Sequence, residues 1–311
     1  MLNYGIMSTS SIAPRFIAAL KETGAGNAVA VSSRTLDRAR KKAADWGIER
    51  AYGSHAELLA DGDINIVYIS TVNSEHYTLA KAALLAGKHV VCEKPCTLTA
   101  KETDELFELA GKKGLFIIEA QKMLFLPTLT EVKRLISEGV IGEVSMAETS
   151  HSFPGSYNAW MYDKELGGGP LLSSGIYAFE LLLWLFGDIE CAQIFKSEMP
   201  NGVEWQYTVA GKTKSGVIFN VKNSTVSVLD NTARIFGSKG YIEIPSYWKA
   251  RGATLHLEGK PCEEISFPCK NEMVYEVLHI RECLEKGLLT SPVVTRELSL
   301  KGIEVIERLC K

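Results

Sequence analysis

The chain of 311 residues is 46% hydrophobic and 23% charged, a balance that suits about two folded domains and excludes wholesale disorder. Its formal net charge of -3 argues against a general nucleic-acid binder, which needs a basic surface to meet phosphates. The longest apolar stretch, Leu181 to Phe186, is far shorter than a membrane span and follows Glu180 directly.

Strand-like and helix-like segments alternate from Leu2 to Ala120. Leu2 to Met7 reads as a strand, Ser8 to Ser11 as a polar turn, and Ile12 to Thr23 as a helix with Pro14 in its first turn. Ala28 to Ser32 is a second strand and Leu36 to Trp46 a second helix; Ser54 caps a short helix, His55 to Leu59. Ile64 to Ser70 is nearly continuous apolar chain, as in a strand buried on both faces. Glu75 to Ala86 is helical and stops at Gly87, His89 to Cys92 is a strand, Thr99 caps a helix ending near Lys112, and Leu115 to Ala120 is a strand. This alternation predicts an α/β domain with a doubly wound parallel sheet.

The second half has a different rhythm. Val132 to Ser137 and the apolar Leu171 to Phe186 are helical, and Gly142 to Phe153 alternates as a strand does. Strand-like stretches then follow at Ala192 to Lys196, Trp205 to Ala210, Gly216 to Lys222, Thr225 to Val228, Thr232 to Phe236, Tyr241 to Ile244 and Thr254 to Leu257. Short turns between them, such as Ser238-Lys239-Gly240, predict a large open, mostly antiparallel sheet. Helices at Met273 to Lys286 and Leu298 to Leu309 close the chain, and the domain boundary is expected between residues 121 and 122, giving domains 1–121 and 122–311.

In a doubly wound sheet, ligands bind beyond the carboxyl ends of the strands. The first turn, Ser8-Thr9-Ser10-Ser11-Ile12, is where a dinucleotide pyrophosphate would meet a helix N-terminus, although serines stand where the usual fingerprint has glycines. At the second strand end an NAD site carries a carboxylate for the ribose 2′-OH; here Ser32, Ser33 and Arg34 occur, with Arg38 a turn later, a set that favours the 2′-phosphate of NADP. Arg34 and Arg38 read equally well as a solvated helix start. Glu93-Lys94-Pro95 puts a lysine at the mouth of a buried strand, its backbone held extended by the proline. No cluster of His, Cys and carboxylates has ligand spacing, so no metal is expected. Seven scattered cysteines and an N-terminus without a signal-like core predict reduced thiols in a cytoplasmic protein, with Cys92 and Cys96 as buried structural thiols.

Taken in order, Gly5…Ile12-Ala13, Ser33-Arg34, Thr71-Val72-Asn73-Ser74-Glu75-His76, Glu93-Lys94-Pro95, Glu119-Ala120…Pro127 and Gly167-Gly168-Gly169-Pro170-Leu171-Leu172-Ser173-Ser174-Gly175-Ile176-Tyr177 make a chain that resembles the Gfo/Idh/MocA oxidoreductases over nearly its whole length. The Glu93-Lys94-Pro95 piece and the piece from Gly167 to Tyr177 are similar to the branch of dihydrodiol and NADP-dependent D-xylose dehydrogenases. The resemblance implies a Rossmann domain joined to an α/β domain whose open sheet makes a dimer or higher homo-oligomer. It implies hydride transfer between a nicotinamide and a carbinol or carbonyl carbon of a sugar, polyol or cyclic diol, with NADP as cofactor and NAD possible. It further implies a cis peptide before Pro95, Lys94 beside the nicotinamide ribose and the reacting oxygen, and Tyr177 as acid/base. A tyrosine near that ammonium would ionise closer to working pH. Thr71, Asn73 and His76 would line the cofactor cleft, and Glu93 would bond ribose or backbone.

Three departures bear on function. The loop glycines are serines; an acidic residue that many members carry is Ser173; and the stretch after Glu119-Ala120, usually aromatic with an Arg, reads Gln121-Lys122-Met123-Leu124-Phe125-Leu126-Pro127, with Leu124 at the Arg position. Trp160, Asp163 and Ser173 are therefore expected in a substrate pocket unlike that of the sugar-oxidising relatives. The alternative is a catalytically silent NAD(P)-binding sensor of the same fold, which the serine loop and missing acid favour and the Lys94–Tyr177 pair opposes.

Overall fold

The computed structural model describes residues 1–155 and 158–310. They form two compact units, one of residues 1–121 with 271–299 and the other of residues 122–270 with 300–311. The stretch 271–299, which the sequence reading groups with the second domain, thus packs with the first.

The first unit holds strands β1 (Asn3–Met7), β2 (Asn27–Ser32), β3 (Arg50–Tyr52), β4 (Ile66–Ile69), β5 (His89–Glu93) and β6 (Ile117–Ala120). Between them run helices α1 (Ala13–Thr23), α2 (Leu36–Trp46), α3 (His55–Ala60), α4 (His76–Leu85) and α5 (Ala100–Lys113). The parallel strands lie in the order β3-β2-β1-β4-β5-β6, so the winding reverses between β1 and β4. β1 shows why its sequence alternates in size. Tyr4 points to the α1 side, where Phe16 meets it edge-on at 5.5 Å and stacks on Tyr68 at 3.9 Å. Gly5 faces the opposite layer so closely that a Cβ would come within 2.6 Å of Leu58. Ser54 and Thr99 cap α3 and α5, each accepting a hydrogen bond of 3.2 Å from the backbone N–H three residues on. The short strand β3 has too few residues to show a period, and the sequence reading omits it.

The second unit is built on helix α6 (Pro127–Ser137), strand β7 (Val144–Ser152) and helix α7 (Ile176–Phe186). Strands β8 (Ile189–Glu198), β9 (Glu204–Thr213), β10 (Ile218–Ser224), β11 (Thr232–Gly237), β12 (Gly240–Pro245), β13 (Gly252–Leu257) and β14 (Glu263–Ser266) follow. With β7 they form a sheet of order β14-β13-β12-β11-β7-β10-β9-β8, antiparallel except where β7 runs parallel to β10. One face is apolar and buried, with Ala147, Val221, Val209 and Ile235; the other leaves Met146, Ile218 and Phe195 exposed. Thr225 to Val228, expected as a strand, is a turn. Ser224 Oγ accepts the N–H groups of Val226 and Ser227 at 3.2 and 2.7 Å, a local bond that competes with ladder pairing and leaves Val228 in solvent. The acidic, exposed β14 gives no apolar alternation and was not expected.

The chain closes with α8 (Met273–Glu285) and α9 (Arg296–Leu309). α8 lies in the first unit, where Glu272 at its start pairs with Arg15 of α1 and Leu289 beyond its end accepts the Ile117 N–H at 3.1 Å. No helix among the described residues is long and apolar enough to cross a membrane.

Candidate active site

At the carboxyl edge of the first sheet, the loop 8–12 joins β1 to α1. Ser8 is buried and its Oγ accepts the Ser10 N–H at 2.9 Å, while Ser10 Oγ donates to Ser70 Oγ beyond β4 at 2.9 Å. The loop is thereby tied across the point where the winding reverses. Ser11 is exposed, and Ile12 precedes α1 in a helical conformation without any side-chain cap. Arg38 of α2 reaches back to this loop, donating from Nε to Thr9 Oγ1 at 2.7 Å. Ser33 is buried with its N–H on Tyr52 O at 3.2 Å, and Arg34 is exposed beside it.

The segments after β4 and β5 are clamped by one side chain. His76 is fully buried, with Nδ1 2.8 Å from Pro95 O and Nε2 3.3 Å from Thr71 O. Burial holds its imidazole below the ordinary histidine range, which favours the neutral ring. The Lys94–Pro95 peptide is cis, and Lys94 is half-buried beside it. Glu93 accepts from Tyr68 Oη at 2.6 Å, and Glu119 from the Cys96 N–H at 2.9 Å. Asn73 is buried in the turn before α4. Thr71 Oγ1 is buried without a hydrogen-bond partner among the described residues.

These residues fit a dinucleotide. The loop meets a helix start with no side-chain cap, an arginine lies over the loop where β2 ends without a carboxylate, and an orphaned hydroxyl sits at the end of β4. The loop, with Ser33, Arg34 and Arg38, would hold phosphates; Thr71, Asn73 and Lys94 would line the nicotinamide half.

In the second unit the glycine-rich segment is explained contact by contact. A Cβ on Gly168 would come within 2.5 Å of Met161 O, and the N–H groups of Gly168 and Gly169 bond to Asp163 O and Met161 O at 2.8 Å each. Gly169 has a φ of 101° and lies against Glu204, whose Oε1 accepts the Leu171 N–H at 2.8 Å. Burial pushes that carboxyl above its usual range. The chain then makes a π-helical turn, Leu171–Gly175, before α7, and a Cβ on Gly175 would come within 2.4 Å of Tyr207 Oη. Ser173 is buried and its hydroxyl donates to Gly169 O at 2.7 Å.

This segment delivers Tyr177 to the buried side of α7, only 6% exposed. Its hydroxyl accepts a 2.7 Å hydrogen bond from Lys122 Nζ, which lies 4.7 Å from the ring centroid. Around it, His151 stands 6.4 Å from the Tyr177 ring and 3.6 Å from Trp248. Burial holds Tyr247 un-ionised.

Of the residues read from sequence, Ser8, Thr9, Ser10, Ser33, Arg34, Arg38, Thr71, Asn73, His76, Glu93 and Lys94 gather along one edge of the first sheet. Ser173 and Tyr177 share one segment of the second unit. Trp160 is half-buried, but Asp163 is exposed and its carboxylate accepts the Glu165 N–H at 2.9 Å; what this turn gives the glycine segment is backbone carbonyls. Lys122 was missed. It is an ordinary charge in sequence, and the only signal was that a stretch usually aromatic holds a lysine.

Comparison with known proteins matches residues 2–121 to the oxidoreductase family, NAD-binding Rossmann fold, and residues 129–243 to the GFO/IDH/MocA C-terminal domain. The trans-1,2-dihydrobenzene-1,2-diol dehydrogenase of Mus musculus is 32% identical, covering 100% of this chain and 96% of its own length; that of Xenopus laevis is also 32% identical, covering 94% and 92%. Among solved structures, an aldose-aldose oxidoreductase from Caulobacter crescentus, complexed with glycerol, is 27% identical with a TM-score of 0.88 over 99% of this chain and 96% of that one. The 3-ketoreductase KijD10 from Actinomadura kijaniata, solved with NADP and TDP-benzene, has a TM-score of 0.91 at 24% identity, covering 99% and 96%, a likeness of fold. The chain belongs to the Gfo/Idh/MocA family, oxidoreductases built on an NAD-binding Rossmann domain.

Proposed function

We propose that the protein is an NADP-preferring dehydrogenase of the cytoplasm that interconverts a carbinol and a carbonyl on a cyclic diol, polyol or sugar. The observation that carries this reading is the Tyr177 hydroxyl, buried and hydrogen-bonded to an ammonium at 2.7 Å. A phenol so placed serves proton transfer. A bound nicotinamide supplies the hydride acceptor or donor. Oxidation breaks the substrate O–H bond as the carbinol hydride departs; Tyr177, as phenolate, takes the proton and becomes phenol, and reduction runs the reverse. Lys94 would hold the reacting oxygen and favour its developing negative charge. Arg38 on the loop at Thr9, and the lack of a carboxylate in Ser32-Ser33-Arg34, support NADP. The dehydrogenase relatives support a ring diol as the first substrate class to try. Exposed Met146, Ile218 and Phe195 on the outer sheet face support a homo-oligomer assembled through that sheet.

One observation favours a second reading, a nucleotide-binding sensor without turnover: Ser8 Oγ already takes the Ser10 N–H, a donor that a phosphate would otherwise claim. The test is turnover of a panel of cyclic diols, polyols and sugars with NADP⁺, followed by reduced-nicotinamide absorbance. Wild type is expected to turn over at least one, with Lys94→Ala and Tyr177→Phe slower by two or more orders of magnitude, at the scale of a lost acid–base group. Unchanged rates in both variants would discard the assignment. Nucleotide binding without turnover of any compound would favour the sensor.

A further inference from the structure

We infer that Lys122 is the positioning residue for Tyr177, orienting its hydroxyl and stabilising its phenolate from within the second unit. The inference rests on the reading of Tyr177 as the proton-transfer group. It starts from burial: Lys122 is 7% exposed and Tyr177 6%. Taking an ammonium out of water is costly unless a partner meets it, and here a partner does, with Nζ 2.7 Å from Tyr177 Oη. The short turn Lys122–Phe125 sets the lysine there, its neighbours Met123 and Leu124 being buried.

An ammonium has donors and no acceptor, so Lys122 occupies a lone pair of the phenol oxygen and cannot receive the phenol proton. That proton must point elsewhere, which fixes the rotation of the O–H about the ring. When the proton leaves, the same hydrogen bond joins opposite charges and strengthens, so Lys122 favours the ionised form over the neutral one. The other titratable groups near Tyr177 within this unit are His151 from β7 and Tyr247 after β12, while Glu180, one turn along α7, packs its side chain against Gly302. Tyr247 is kept neutral by burial. Lys122 is the cation in this set that contacts the hydroxyl.

The test uses Lys122→Met, which keeps the length of the stem and removes the charge, with Lys122→Arg as the conservative variant. The acid limb of the pH profile for kcat/KM in the oxidative direction is expected to move upward by about one pH unit or more in Lys122→Met, a tenfold loss of phenolate at a given pH, and to return toward wild type in Lys122→Arg. A second readout needs no cofactor or substrate: carbon-13 at tyrosine Cζ, with Tyr177 assigned by its loss in Tyr177→Phe, should titrate at higher pH in Lys122→Met than in wild type. Thermal melts confirm that the variants fold. An unmoved limb and an unmoved titration would overturn the proposal, as would a limb that moves in Lys94→Met and stays in Lys122→Met. Unmoved titration with an inactive Tyr177→Phe sinks the Lys122 role alone. An active Tyr177→Phe instead removes the reading on which it rests.

Discussion

Arg38 is exposed, yet its guanidinium is directed by a 2.7 Å bond from Nε to Thr9 Oγ1. That bond leaves the terminal nitrogens beside the loop where a pyrophosphate and its 2′-phosphorylated ribose would lie. A charged hydrogen bond is worth about 1.5–3 kcal/mol, so Arg38→Ala should weaken NADP binding about tenfold or more while NAD binding changes little. Calorimetric titration with both nucleotides checks it, and equal losses for the two would remove Arg38 as the selecting residue. The same scale shows the limits of reading residues from sequence. The loop, the Glu-Lys-Pro turn and Tyr177 were legible because each sits at a strand end or in a glycine motif whose geometry implies its use. Lys122 was not, since a lysine's role depends on what its long side chain reaches, and its partner lies 55 positions away. His76 stands out in sequence only as part of the Thr71-to-His76 segment, and its clamp on Pro95 and Thr71 depends on burial, which no local pattern announces.

At the level of elements, the segment from Gly167 into α7 is a scaffold in which small residues are required by contacts on three sides. Gly175 is the tightest case, since a methyl group there would meet Tyr207 Oη at 2.4 Å within the π-helical turn that aims Tyr177. Gly175→Ala should cost about 1–3 kcal/mol, the range for overpacking a closed site, and lower turnover through displacement of Tyr177. Denaturant melts with a parallel assay measure both, and a fully stable, fully active variant would show that Tyr207 gives way freely. Elements with a full period or a cap, such as α2, α5 and β9, were legible. Those that depend on partners were not: β3 and β14 exist through pairing with β2 and β13, and Thr225 to Val228 lost its strand to Ser224. The association of 271–299 with the first unit was equally hidden, because α8 meets α1 through residues more than 250 positions apart.

Across the whole molecule, that association gathers a set of titrating groups in one unit. His55, His76, His89 and His279 all lie in the first unit, and burial lowers the pKa of each. A histidine depressed in the fold binds its proton more readily when unfolded. Its contribution is therefore complete above the ordinary histidine pKa of about 6.5 and is lost as pH falls through that value toward the folded one. Each unit of depression at the fully buried His76 corresponds to about 1.4 kcal/mol once both forms are protonated. Two carboxylates of the second unit respond differently. Burial raises Glu204 above the usual carboxylate range, so mild acid favours its folded form, and Asp188, held near 2 by Lys301 and Lys214, gives up its contribution only in stronger acid. As pH falls below about 6.5, stability should drain from the first unit through these four groups. Hydrogen exchange by mass spectrometry, with rates corrected for the intrinsic pH dependence of exchange, reads this locally: protection should fall in peptides from β4, α4, β5 and α8. Unchanged protection in these peptides would show that the buried histidines do not govern the acid response of the first unit, and His76→Gln, which cannot ionise, should flatten the loss.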